Sequence, residues 1–291
     1  MKLQNNYYRK RFEALGSVFE IELIGNDGQD LGFLVENYQD KIARFEQQFS
    51  RFLGDNELFK LNNLLNNWVE VSSEMLNIVQ RAEKYRDRTD GYFDIGVEAV
   101  LGNLGYGTVR RENLPDLLKI EFKDGNKIKI NKPIDFGGLG KGLVLDWSKE
   151  VFVDVDNVCV NAGGDFYVKG RDKEQKFWKV FFENPFDGEE VIGLVEIQKE
   201  IFLAASNTLK RKWAGGHHLI NPKILGVAKE MAGVYVQADS GEKADVFSTA
   251  LFAMGYEKAK KWLEKDNQVE GMLISLEGAV FKTERFEGGL Y

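Results

Sequence analysis

Three features of the chain predict an α+β fold. Runs that alternate apolar and polar residues, as half-buried strands do, occur beside longer stripes of helical period. The two kinds follow one another without the regular strand-helix-strand repeat of a wound parallel sheet. Hydrophobic residues make up 43% of 291 residues, enough to cover a substantial core and to exclude disorder. The expectation is a single domain over 1–291, with a larger α/β core and a smaller α+β part, and with no internal repeat or low-complexity linker.

The elements follow in order. Ser17 to Ile24 alternates and ends at Gly25-Asn26-Asp27-Gly28, the signature of a half-buried strand and a turn. Leu31, Leu34, Val35, Tyr38, Ile42, Phe45 and Phe49 recur at three- and four-residue steps, which predicts an amphipathic helix through about residue 48. Residues 55–66 and 72–88 read as further helices, the second opened by Ser72 or Ser73 as its cap. Between Leu118 and Ile130, two alternating runs flank Asp124-Gly125-Asn126 and predict a hairpin. Helical spacing returns from Leu143 to Phe152, and Val158 to Val160 reads as a short buried strand ending in Asn161-Ala162-Gly163-Gly164-Asp165. A second hairpin is expected from residues 177–183 and 190–198, across Asn184-Pro185-Phe186-Asp187-Gly188.

Chemistry concentrates first in Ile134-Asp135-Phe136-Gly137-Gly138-Leu139-Gly140-Lys141-Gly142, which puts a carboxylate, an ammonium and four glycines between a strand and a helix. Glycine gives up more conformational entropy on folding than any other residue, so it persists where backbone must approach a ligand closely or adopt positive φ. Lys141 would then meet a phosphate. A Walker loop is excluded, because Lys141 is followed by Gly142 and Leu143 and the magnesium-binding hydroxyl is missing. The dinucleotide fingerprint is excluded by spacing, since the glycines fall at 137, 138, 140 and 142. The alternative is a tight strand-to-helix turn in which Asp135 and Lys141 are only solvated.

A second concentration lies toward the C-terminus. His217 and His218 adjoin an Asn221-Pro222 turn, and Asp245-Val246-Phe247-Ser248-Thr249 opens an apolar helix ending near Gly255. Asp245 and Thr249 stand four residues apart, so on a helix their Cβ atoms lie about 5–6 Å from each other and could share a hard cation such as Mg2+. The alternative is that Asp245 caps the helix while Thr249 bonds back to a carbonyl.

Composition narrows the partners. A formal net charge of -7 with dispersed basic residues excludes a broad nucleic-acid surface. Cys159 is alone, so there is no internal disulfide and no thiolate zinc cluster. No run of about 18 apolar residues is present, so no membrane span is expected. The first ten residues carry charge without an apolar stretch behind them, so the chain as written is expected to be cytoplasmic; the alternative is an exported protein whose leader has been removed.

Taken in order, Leu15-Gly16-Ser17, Phe49-Ser50-Arg51-Phe52 with Glu57 and Asn62, Gly91-Tyr92-Phe93-Asp94, Leu104-Gly105-Tyr106-Gly107, Asp135 to Gly142, Asn161 to Asp165, His218 to Pro222 and Asp245 to Thr249 resemble the ApbE family of FAD:protein FMN transferases. The resemblance runs from about residue 15 to residue 280. Its most specific parts are Asp-x-Gly-Gly-x-x-Lys-Gly, Asn-Ala-Gly-Gly-Asp and Asp-x-x-x-Thr. The chain departs from the family at Ala205-Ser206-Asn207, where a Thr-Ser-Gly-like turn is usual, at Leu104, where an aromatic is usual, and at Lys223-Ile224-Leu225-Gly226, where a Thr-Gly pair is usual.

The resemblance implies a reaction: FAD binds with Mg2+, its pyrophosphate is cleaved, FMN passes to a Thr or Ser hydroxyl of an acceptor protein, and AMP leaves. It also implies roles. Asp135 and Lys141 would contact FAD, with Lys141 near the pyrophosphate. Gly138 (by its carbonyl), Asp245 and Thr249 would hold Mg2+. Leu15, Phe52, Leu104, Gly105, Tyr106 and Leu219 would line the flavin and adenine pocket, where Phe52 and Tyr106 can stack on rings. His218 would be the general base, with His217 only its neighbour. Two alternatives remain: a FAD pyrophosphatase yielding FMN and AMP, and a non-catalytic flavin-binding or carrier protein.

Overall fold

The protein is described by a computed structural model covering residues 6–106, 115–209, 212–213 and 216–291. Gly107 of the Leu104-Gly105-Tyr106-Gly107 motif lies outside the described residues.

The chain opens with strands β1 (Asn6–Ala14) and β2 (Ser17–Gly25), then helices α1 (Leu31–Phe49) and α2 (Glu57–Asn63). Strand β3 (Val69–Glu70), helices α3 (Ser73–Arg88) and α4 (Glu98–Asn103), and the hairpin β4 (Ile120–Lys123) and β5 (Lys127–Ile130) follow. Next come α5 (Gly140–Val151), β6 (Asn157–Ala162), β7 (Phe166–Lys169), β8 (Trp178–Glu183), β9 (Val191–Ile197) and β10 (Ile201–Asn207). The short strands β11 (Lys212–Trp213), β12 (Gly216–His217), β13 (Ile220–Asn221) and β14 (Gly226–Val227) lead to β15 (Gly233–Ala238). The chain closes with α6 (Gly241–Met254), α7 (Tyr256–Leu263), β16 (Glu270–Ile274), β17 (Val280–Lys282) and β18 (Gly289–Leu290).

An eight-stranded sheet in the order β1-β2-β6-β7-β10-β15-β16-β17 forms the centre, and every ladder among the described residues is antiparallel. The architecture is therefore mixed α+β, as expected. Alternation of side chains across each strand divides two cores. In β10, Phe202 and Ala204 face the helices, whereas Ile201 and Leu203 face the opposite side. In β15, Val234 and Val236 join the helical core while Tyr235 joins the other. Helices α1, α5, α6 and α7 cover the first face, and the three-stranded sheet β18-β9-β8 supplies Trp178, Val180, Phe182, Val195 and Ile197 to the second.

The α1 stripe is realised: Leu31, Val35, Tyr38, Ile42, Phe45 and Phe49 are buried, and Asp30 caps the helix by accepting from the Phe33 N–H at 2.9 Å. Ser72 caps α3, accepting from the Met75 N–H at 3.0 Å. Two helix starts differ from expectation. Helix α5 begins at Gly140, not Leu143, so Lys141 and Gly142 lie in its first turn and not in a loop. Helix α6 begins at Gly241, four residues before Asp245, and Ser240 caps it by accepting from the Lys243 N–H at 3.2 Å. Asp245 is therefore inside the helix, which overturns the capping alternative. Periodicity does not reveal β10, β15 or β16, because strands covered on both faces read as continuous apolar runs.

Candidate active site

The crossing of α5 and α6 builds the site. A Cβ on Gly142 would lie 2.3 Å from the Gly241 carbonyl oxygen, and one on Gly241 would lie 2.4 Å from that of Gly142. Only glycine at both positions lets the helices meet this closely. From α5, Asp146 reaches the start of α6, where its two oxygens accept from the Gly241 N–H at 2.6 Å and the Glu242 N–H at 3.1 Å. Asp245 answers from α6, its Oδ2 accepting from the Gly142 N–H at 2.9 Å. The crossing leaves Lys141 with its ammonium 3.6 Å from Asp245 Oδ1 and ion-paired to Asp165.

Asp165 reaches this point through a two-residue hairpin turn. Gly163 and Gly164 take φ of 67° and 101°, and Asn161 Oδ1 accepts from the Gly164 N–H at 2.8 Å. Positive φ at both central positions matches the right-handed twist of the flanking strands β6 and β7. The other Asp165 oxygen accepts from the Ala205 N–H at 3.1 Å. Leu15 and Gly16 make the same kind of turn between β1 and β2, at φ of 52° and 64°. The Gly163 N–H donates to the Val18 carbonyl at 3.0 Å and brings the two turns together.

The segment before α5 is held from outside. Asn62 pairs with the backbone of Ile134 in both directions, at 2.9 and 2.8 Å, and the Asp135 N–H donates to the Ile95 carbonyl at 2.8 Å. Asp135 then meets Arg51, whose Nε lies 3.5 Å away. The Arg51 guanidinium is buried; it sits 4.4 Å from the Phe52 ring centre and 5.3 Å from that of Tyr106, and donates to the Tyr106 carbonyl at 3.2 Å. Phe52 itself is exposed. Gly138 packs beside Thr249: a Cβ there would be 3.6 Å from Thr249 Oγ1 and 3.3 Å from the Phe93 ring.

Three cavities meet at Lys141. The first, of about 240 Å3, is bounded by Leu15, Phe49, Arg51, Phe52, Tyr106 and Asp135. The second is smaller, about 90 Å3, and faces Asp135, Gly138, His218, Leu219, Asp245 and Thr249. The third, of about 450 Å3, opens between the β1–β2 turn, β8 and β10, with His218 on its wall. Lys141 lines all three.

Most residues singled out in the sequence lie on this cleft, but Leu104 and Gly105 line none of the three cavities. They end α4 instead. Gly105 at φ 92° donates to the Gly102 carbonyl at 3.0 Å and the Tyr106 N–H to that of Leu101 at 2.8 Å, the two bonds of a Schellman motif that delivers Tyr106 to the cleft. His217 is buried edge-on against Phe252, with Nδ1 accepting from the Leu219 N–H at 3.3 Å. The motif residues Arg51 and Asp165, to which the sequence assigns no role, provide the charged partners of Asp135 and Lys141. An Arg beside an aromatic in a loop gives no signal of burial by itself.

Electrostatics follow from this set. Lys141 sits between Asp165 and Asp245, and Arg51 between Asp135 and Glu98, whose Oε1 is 4.0 Å away. Two cations thus face four carboxylates, and the cleft is negative. Among the described residues, no group of three His, Cys, Asp or Glu side chains forms a metal site. The small cavity offers other oxygens: the Asp245 carboxylate, the Thr249 hydroxyl and the Gly138 backbone, hard donors suited to Mg2+ with water or phosphate completing the shell.

The ApbE family model matches residues 15–273. The chain belongs to the ApbE family. It is similar to the FAD:protein FMN transferase of Haemophilus influenzae, 26% identical over 260 residues that cover 78% of this chain and 74% of that one. It is also similar to that of Escherichia coli K12, 23% identical over 299 residues, or 93% and 85% of the two chains. Among solved structures, the ApbE protein of Thermotoga maritima superposes with a TM-score of 0.86 at 25% identity, covering 96% of this chain and 97% of that one. The flavin transferase ApbE of Vibrio cholerae has the same fold, with a TM-score of 0.83 at 22% identity and coverage of 97% and 98%.

Proposed function

We infer that the chain is a FAD:protein FMN transferase, an enzyme that moves the FMN half of FAD to a Thr or Ser hydroxyl of an acceptor protein and releases AMP. One observation carries the reading: Lys141, Asp245 and Thr249 line a small cavity that shares Tyr106, Asp135, Gly137 and Lys141 as walls with the ring-sized apolar cavity of Leu15 and Phe52. FAD needs such a junction, since a flat ring joins a diphosphate. Phe52 and Tyr106 suit stacking on the ring, and Arg51 stiffens both.

Lys141 serves the diphosphate, and Asp135 orients the flavin half. Asp245, Thr249 and the Gly138 carbonyl would hold Mg2+, which when bound neutralises charge spread over phosphate oxygens. The excess of carboxylates in the cleft argues for that requirement: a diphosphate entering a negative site is repelled unless a divalent cation accompanies it. His218 takes the proton of the acceptor hydroxyl as its oxygen bonds to the FMN phosphorus. The bond between the FMN phosphorus and the bridging oxygen breaks, and AMP departs with that oxygen and the electron pair.

The test is incubation with FAD and Mg2+. Flavin retained on an acceptor protein after denaturation supports transfer. AMP release into water without acceptor favours the hydrolase, and bound FAD with no turnover favours a carrier. Asp245→Asn keeps an acceptor for the Gly142 N–H but removes the charge, so it is expected to lose Mg2+-dependent turnover while retaining the far-UV circular dichroism of the parent. Full activity in that variant would remove the metal assignment.

A further inference from the structure

The largest of the three cavities is not used by the flavin or its diphosphate in the reading above, yet it ends at the same Lys141 and His218. We propose that it is the groove for the acceptor, which enters as an extended, near-neutral polypeptide segment with an apolar side chain against Phe181. The proposal rests on the flavin-transfer reading and adds where the second substrate binds.

Four observations point to an extended segment. First, the groove is lined by His218 but by neither Phe52 nor Tyr106, so a hydroxyl in it can meet the base while the flavin ring keeps its own cavity. Second, the sheet opens there. The ladder between β10 and β7 ends at the pair Leu203↔Phe166, but β10 runs on to Asn207 while still paired to β15. Asp165 takes the Ala205 N–H at this opening, and the groove follows β10 from Leu203 to Asn207. Among the described residues β10 beyond Leu203 is paired on one side only, and such a stretch is the usual partner for an added extended segment, whose alternate side chains then point to opposite walls.

Third, Phe181 is an aromatic in a position its strand otherwise turns to solvent. In β8 the burial alternates, with Trp178, Val180 and Phe182 inside and Lys179 and Phe181 outside. Phe181 is 52% exposed and lines the groove, a place for one apolar anchor. Fourth, the rim has no single sign of charge. Arg11 and Glu20 stand 3.5 Å apart and offset each other, and Lys141 and Glu183 add one charge of each sign to the same walls, which fits a segment without clustered charge.

The experiment uses a display library of twelve-residue peptides with a fixed central Thr, incubated with the full chain, FAD and Mg2+, and sorted for flavin fluorescence that survives a denaturing wash. Labelled peptides are expected to be uncharged around the Thr and to carry an aromatic or aliphatic residue near it. For the best of them, Phe181→Glu is expected to raise the peptide KM by about tenfold, the loss of one anchor. The KM for FAD and the slow AMP release into water are expected to stay within twofold of the parent. Phe52→Ala is expected to do the opposite, raising the KM for FAD and sparing that for peptide. An unchanged peptide KM in Phe181→Glu overturns the groove, as does AMP release by a parent enzyme that labels no peptide. A parent that neither labels peptide nor releases AMP overturns the flavin-transfer reading itself.

Discussion

His217 and His218 are neighbours in the chain with opposite surroundings. His217 ends β12 and packs against Phe252, whereas His218 sits in the bend that follows and faces the cleft, its ring centre 6.5 Å from that of Tyr106. The difference is testable. His218→Ala is expected to lower the transfer rate by about 10²-fold or more, the usual worth of a positioned base, while FAD affinity by fluorescence titration changes little. An unchanged rate at saturation with weakened FAD binding would make His218 a binding residue. Gly142 illustrates a different residue-scale constraint. It looked like part of a phosphate loop, but the space for its Cβ is filled by the Gly241 carbonyl at 2.3 Å. Gly142→Ala is therefore expected to destabilise the fold by about 3 kcal/mol through overpacking, measured by urea unfolding, and an unshifted midpoint would contradict the tight crossing.

At the scale of elements, the crossing of α5 and α6 is what brings Lys141 to Asp245, and Asp146 ties it. Burial pushes the Asp146 carboxyl up to about 6, against the pull of the Gly241 and Glu242 N–H groups. Because the folded protein then binds more protons than the unfolded chain between the ordinary carboxylate range near 4 and about 6, this group lowers stability as pH rises through that window and leaves it level above. Asp146→Asn is expected to flatten the fall in melting temperature between those pH values; an identical pH profile would remove the assignment. The α1 stripe, the Ser72 cap and both hairpins were legible because local periodicity and turn chemistry dictate them. The starts of α5 and α6 were not, because Gly140 and Gly241 carry no helix signal and are helical only through the close packing they permit. Strand β1 was hidden as well: Arg9 and Arg11 on its outer side pair with Glu22 and Glu20 across β2, and those charges mask the alternation.

For the molecule as a whole, three cavities converge on one ammonium, so ligand binding and folding are coupled. FAD at about 100 times its Kd is expected to stabilise the protein by about 2.7 kcal/mol, raising the melting temperature by a few degrees, and chelation of divalent metal is expected to remove much of that gain. A shift indifferent to chelator would argue against a metal accompanying the diphosphate. No helix among the described residues is long and apolar enough to cross a membrane. The sequence by itself determined the mixed fold class, the family and the motifs of the cleft, since residue types at fixed spacings encode local structure and chemistry directly. It could not show that Asp245 lies within its helix, that Gly105 turns the chain toward the cleft while remaining off its walls, or that Arg51 and Asp165 meet the site. The contacts of Arg51, Asp165 and Asp245 join segments that lie from 24 to 103 residues apart, and only the packing of turns and helices against one another sets such distances.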